Sequence, residues 1–101
     1  MVKIKSNVKP PSLVILAAAA NTAQELAIEI MVTSGNDSTH MKGSRHYVNA
    51  ALDFRSKDMP YPTRSKFMAI LQKRLGPKYQ VILEDDGKAN EHIHVERDDL
   101  T

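Results

Sequence analysis

Four histidines and a scatter of carboxylates are the residues of this 101-residue chain whose types and spacing could do chemistry. His40 and His46 share one polar stretch, and His92 and His94 stand two apart near the other end. Residues at i and i+2 of a β-strand project from one face, so His92 and His94 point together if 92–96 is a strand. His46 at a loop end and Asp53, seven residues on in an adjoining short apolar run, could converge on that side. Two imidazoles and one carboxylate with an open fourth position form the donor set of a catalytic zinc site. Imidazole suits the ion's borderline softness, and the carboxylate adds a hard charge. A lone His-x-His pair is common on exposed strands, and a lone Asp is often a strand-end acid, so the pattern has weight only in combination. Cysteine is absent, which excludes disulfides, thiolate nucleophiles and Cys-ligated zinc or iron–sulfur sites.

The elements that must position these residues follow from periodicity and punctuation. Leu13, Leu16, Ala17, Ala20, Ala23 and Ala27 recur at helical spacing, with Pro11 ahead and Ser12 as N-cap, predicting a helix over 12–26. Residues 27–33 are rich in β-branched types and stop at Ser34-Gly35-Asn36-Asp37, which predicts a strand followed by a long polar loop over 34–49. Loops that long in a small domain are more often functional than idle. A second strand is expected over 50–55, then a turn with Pro60 and Pro62. Phe67, Ile70, Leu71 and Leu75 line one face of a second helix, ended by Gly76-Pro77. Residues 79–84 and 92–96 flank Asp85-Asp86-Gly87-Lys88 as a hairpin. This order predicts a single α+β domain over 1–101, a small antiparallel sheet with helices on one face and residues 1–11 as a flexible arm.

Composition bounds the function. The chain is 42% hydrophobic and 26% charged with five aromatics and no Trp, a globular balance with a thin core. Charge is uneven: residues 42–78 carry nine Lys or Arg against Asp53 and Asp58, whereas 79–101 carry seven acids against Lys88 and Arg97. The basic middle could face a polyanion or a carboxylate-bearing substrate, or be a solvated helix surface. It lacks the interleaved aromatics that stack bases, so no nucleic-acid partner is expected. The apolar run at 13–20 is short for a secretion signal and suits a retained helix, and no run is long enough for a membrane span.

The stretch from Ser44 through His46 and Asp53 to Arg55, followed by Glu91-His92-Ile93-His94-Val95-Glu96, resembles the zinc peptidases that cut bacterial cell-wall peptides. These are the D-Ala-D-Ala carboxypeptidases and dipeptidases and the phage L-alanyl-D-glutamate endopeptidases, which share a fold with the Hedgehog signalling domain. Their pattern is Ser-x-His, six residues, Asp, then a downstream Glu-x-x-His or His-x-His, and the resemblance covers residues 33–96. It implies a Hedgehog/DD-peptidase-like fold with His46, Asp53 and His94 as zinc ligands. Glu91, three residues before His94, takes the part of general base, and His92 that of a catalytic group on substrate or oxyanion. The chain departs from the pattern in having Asn49 and Ala50 where a small Gly is usual, and it has no Trp before the final His. Arg45 and Arg64 are the candidates for the arginine that steadies the substrate carbonyl in some members.

The implied chemistry is zinc-promoted hydrolysis of an amide in peptidoglycan stem peptides, a carboxylate passing the water's proton to the leaving amine. Strict strand alternation sets Glu91 opposite His92 and His94 and puts Glu96 on their side, while Glu84 on the partner strand is the second candidate for the base. His40 reads equally as pocket lining or as an ordinary loop residue. The resemblance implies an enzyme cytoplasmic in the producing cell and acting at the wall after release. Two rivals stand beside it: an inactive zinc-bearing binding or structural module of the same fold, and a basic-surface binding protein with incidental histidines.

Overall fold

The computed structural model describes residues 2–5, 8, 12–34 and 50–97. Within them are five strands and two helices: β1 (Val2–Ile4), α1 (Leu13–Leu26), β2 (Ile30–Ser34), β3 (Ala51–Arg55), α2 (Tyr61–Leu75), β4 (Tyr79–Glu84) and β5 (His92–Arg97). The α+β class expected from the sequence is present. The sheet order is β1-β2-β3-β5-β4.

Three expectations are corrected by the fold. The sheet is mixed, because β1 pairs parallel to β2 while every other pairing is antiparallel. Val2–Ile4, expected in a flexible arm, is therefore an edge strand, and three residues are too short for periodicity to reveal. The second strand starts at Ile30 rather than at 27. Ala27 ends α1 in the left-handed region (φ 57°), its N–H turned back to Ala23 and Gln24, and the chain needs 27–29 to reverse.

Ser12 sits at the N-cap position, yet its hydroxyl makes no cap bond. Instead it donates to the Ala51 carbonyl at 3.3 Å and accepts from the Ala51 N–H at 3.1 Å, tying the start of α1 to β3. Pro60 and Pro62 open α2, where preset φ angles favour a first turn, and Gly76 at φ 91° closes it. Arg74 bridges the helices, donating to Thr22 at 2.8 Å and pairing with Glu25.

Alternation along the central strands sorts the sheet into two faces. Leu52 and Phe54 of β3 and Ile93 and Val95 of β5 are buried in one core with Ile15, Ala19 and Ala23 of α1 and Phe67 and Leu71 of α2. Phe54 and Phe67 meet edge to face with centroids 6.1 Å apart. Both helices thus cover one face, and the residues between the buried ones, Asp53, His92 and His94, stand on the other. No helix among the described residues is long and apolar enough to cross a membrane.

β4 is an edge strand, and α2 guards part of its edge. Gln72 Nε2 donates to the Tyr79 carbonyl at 2.7 Å and to the Gly76 carbonyl at 3.0 Å, and the Val81 N–H donates to Gln72 Oε1 at 3.2 Å. A side-chain amide thus replaces the missing neighbour strand. Gln72→Ala takes this partner from the Tyr79 carbonyl and the Val81 N–H, at about 1–3 kcal/mol, while the Gly76 carbonyl keeps the Tyr79 N–H at 3.3 Å. Thermal unfolding should show a Tm lower by roughly 5–15 °C for a domain of this size. An unchanged Tm would mean that water satisfies the edge equally well.

Candidate metal centre

Register brings the chemistry together. β3 and β5 pair so that Asp53 lies directly opposite His94, and Arg55 opposite His92. On the far side of β5, Glu84 is opposite His92. Asp53, His92 and His94 each offer a ligand atom within 4.8 Å of the other two, a group that could hold a metal ion. Their side chains are one-fifth to one-quarter exposed, shielded yet reachable.

Each imidazole has one nitrogen toward Asp53 and the other anchored. His94 Nδ1 is 2.6 Å from Asp53 Oδ1, and its Nε2 is 2.7 Å from Glu96 Oε1. His92 Nδ1 donates to the Asn90 carbonyl at 2.7 Å, leaving Nε2 at 3.9 Å from Asp53 Oδ1 and 2.9 Å from Glu84 Oε1. Metal-ligating histidines almost always give their second N–H to a carboxylate or a carbonyl, which fixes ring orientation and tautomer. Glu96 and the Asn90 carbonyl are in place for this role. Donors about 2.1 Å from a tetrahedral zinc lie roughly 3.4 Å apart, and the separations from Asp53 Oδ1, 2.6 Å to His94 Nδ1 and 3.9 Å to His92 Nε2, bracket that value.

The electrostatics favour a cation. The Asp53 carboxylate raises the His94 pKa to about 9 against the opposing effect of burial, with Glu96 and Glu84 adding to the rise. Burial disfavours the charged form of His92, but the Asn90 carbonyl, the Asp53 charge and Glu84 outweigh it, so its pKa is also raised. The proton that His94 retains at neutral pH supplies positive charge that these carboxylates demand. A divalent ion would meet the same demand.

Glu91 has other partners. Ser56 donates to its Oε1 at 2.8 Å, the Gly87 N–H donates to its Oε2 at 2.7 Å, and Arg64 Nη1 stands 3.1 Å away without hydrogen-bond alignment. Arg64 Nη2 donates to the carbonyls of Ser56 at 2.9 Å and Met59 at 3.0 Å. Its guanidinium carbon lies 4.2 Å from the centroid of the Tyr61 ring. The Gly87 amide and the Ser56 hydroxyl, with the Arg64 charge, lower the Glu91 carboxyl to about 2. To accept a proton at neutral pH, Glu91 would have to leave these bonds. Arg64, a candidate for the carbonyl-steadying arginine, is buried in the same network.

The structure brings together Asp53, His92 and His94 of the sequence-predicted site residues. His40, Arg45 and His46 lie outside the described residues. His92, expected as a catalytic group, stands within the group that could hold a metal, and the Arg64–Glu91–Ser56 network was not anticipated from the sequence. The available signal was alternation, since Glu91, Ile93 and Val95 share the parity of the core face. Beside the ligand group, a shallow open cleft of about 320 Å³ is lined by Thr33, Asp53, Arg55, Lys57, Asn90 and His92 among others. Comparison of the chain with protein-family models, curated proteins and solved structures found no match.

Proposed function

We propose that the protein is a zinc-dependent peptidase that hydrolyses an amide bond in peptidoglycan stem peptides, of endopeptidase or D-Ala-D-Ala carboxypeptidase type. The observation that carries this reading is the Asp53–His92–His94 group on the open face of the sheet. Its donor set suits zinc, and the resemblance of residues 33–96 to cell-wall peptidases supplies the reaction class. Asp53, His92 and His94 would hold the ion, with Glu96 and the Asn90 carbonyl orienting the two rings. The resemblance names His46 in place of His92, and single alanine variants at the two positions decide which one the metal needs. Zinc held there would supply Lewis-acid activation of water and of the scissile carbonyl.

The chain's own groups do the rest. Glu84, exposed at the end of β4 with its carboxylate 2.9 Å from His92 Nε2, would take a proton from water and pass it to the leaving amine. Arg55 and Lys57 give the adjoining cleft two cations, which suits a peptide bearing carboxylates.

A second reading, a zinc-bearing binding module without activity, is favoured by one observation: the carboxylate that the resemblance names as base already accepts from Ser56 and Gly87 and is ion-paired with Arg64. Zinc-loaded protein incubated with purified peptidoglycan separates the two, with released peptides identified by mass spectrometry. The peptidase reading expects zinc-dependent cleavage that Glu84→Gln slows by about 10²–10⁴-fold while zinc stays bound. No cleavage by the zinc-loaded wild type would leave the binding module.

A further inference from the structure

Glu91 immediately precedes His92, and what its side chain holds is the β4–β5 turn. All six residues of that turn, 85–90, are exposed, so apolar packing does not fix its shape. Short polar contacts shape it locally: the Lys88 N–H donates to the Asp85 carbonyl at 2.9 Å, and Asn90 Nδ2 to Asp85 Oδ2 at 2.9 Å. Two links tie the turn to the rest of the fold: at the surface the Tyr61 hydroxyl of α2 donates to Asp86 Oδ1 at 2.8 Å, and the link to buried residues runs through Glu91. Its Oε2 accepts the Gly87 N–H, and its Oε1 accepts from Ser56, a residue with no exposed surface. Arg64 pairs with the same carboxylate and holds the chain after β3 through the Ser56 and Met59 carbonyls. One consequence falls on the candidate metal centre, because the Asn90 carbonyl of this turn accepts His92 Nδ1 and thereby leaves Nε2 facing Asp53 and Glu84.

We propose that Glu91 is a positioning residue: clamped by Ser56 and Arg64, it fixes the β4–β5 turn so that the Asn90 carbonyl sets the orientation and tautomer of the His92 ring. In its effect on metal affinity, the inference rests on the reading of His92 as a ligand. It gives this carboxylate a task distinct from proton transfer. A base acts on water and leaves metal affinity alone, whereas a clamp acts on the ligand and changes affinity first.

The test measures zinc affinity by competition with a chromophoric chelator for wild type, Glu91→Gln, Ser56→Ala and the core variant Leu71→Ala. Loss of an outer partner of a metal-binding histidine typically weakens affinity about 10–100-fold. Glu91→Gln should lose affinity on this scale, and Ser56→Ala, which keeps most of the network if Glu91→Gln fails to fold, should lose less. Leu71→Ala, destabilised but with the turn intact, should bind zinc as wild type does. Nitrogen-15 NMR of the metal-free protein gives a second readout: neutral His92 carries its proton on Nδ1 in wild type, and that preference weakens in Glu91→Gln. Wild-type affinity in Glu91→Gln overturns the proposal, whether or not hydrolysis is lost. Should the wild type bind no zinc, the zinc reading fails on its own and the tautomer decides. A His92 ring unchanged by Glu91→Gln then overturns the clamp.

Discussion

His94→Ala is expected to abolish stoichiometric zinc binding. The wild type should carry about one ion per chain, as a site with one set of three protein ligands requires. His94 lies directly across from Asp53 in the β3–β5 ladder, so its removal takes away a ligand and leaves Asp53 without its 2.6 Å partner. A ligand is worth more than the outer partners, whose loss costs about 10–100-fold, so the variant should show no measurable loading at micromolar zinc. Elemental analysis of the purified protein and its thermal unfolding with added zinc read this out together. Zinc at about 100 times its Kd stabilises a binding-competent fold by about 2.7 kcal/mol, a Tm rise of roughly 10–20 °C for this chain length. The wild type should show that rise and His94→Ala should not. A wild type that takes up no metal after zinc is supplied would sink the metal centre and the peptidase reading with it.

Arg64→Met should produce the largest loss of stability. Arg64 and Glu91 are both nearly buried, and the substitution leaves the Glu91 charge with only Ser56 and Gly87 and strips donors from the Ser56 and Met59 carbonyls. Removing one partner of a buried ion pair is far more costly than replacing both with apolar groups, because the remaining charge stays uncompensated. The expected Tm is lower by at least about 10 °C, and Arg64→Met combined with Glu91→Leu should recover part of that loss. The pH dependence has a definite sign. The folded Glu91 carboxyl is lowered from 4.5 to about 2, so its contribution is present above the unfolded value and is lost as pH falls from about 4.5 through about 2. Wild-type Tm should therefore fall over that interval more steeply than the Tm of the double variant, which has no carboxyl at 91. Parallel acid profiles would show that Glu91 is equally acidic in the unfolded chain.

The spans of both helices and the terminal hairpin were legible because their signals are local, but the buried face of α1 was not: Ile15, Ala19 and Ala23 face the core while Leu13 and Ala17 of the expected face are exposed. Apolar spacing over Phe67, Ile70, Leu71 and Leu75, the Pro60 and Gly76 boundaries and the turn at Gly87 depend on neighbours within a few residues. The His92–His94 pairing was equally legible, since side chains two apart on a strand share a face whatever the strand pairs with. Alternation also set Glu91 with Ile93 and Val95, but the spacing that the resemblance supplies drew Glu91 to the metal side. β1 was hidden because three residues cannot establish a period, and its parallel partner is 28 residues away in the chain.

By itself, then, the sequence determined which residue types could bind a metal, that thiolates were not among them, and which strand residues share a face. Only the tertiary structure decided that Asp53 stands opposite His94, that Glu84 and Glu96 flank the two rings, and that Arg64 reaches Glu91 across the core. The physical reason is register. The apolar alternation of Leu52 and Phe54 and of Ile93 and Val95 excludes a slip of one residue between β3 and β5, which would turn one strand's apolar side chains away from the helices. A slip of two would keep the faces and part Asp53 from His94, and only the packing of the whole sheet against the helices selects the observed alignment.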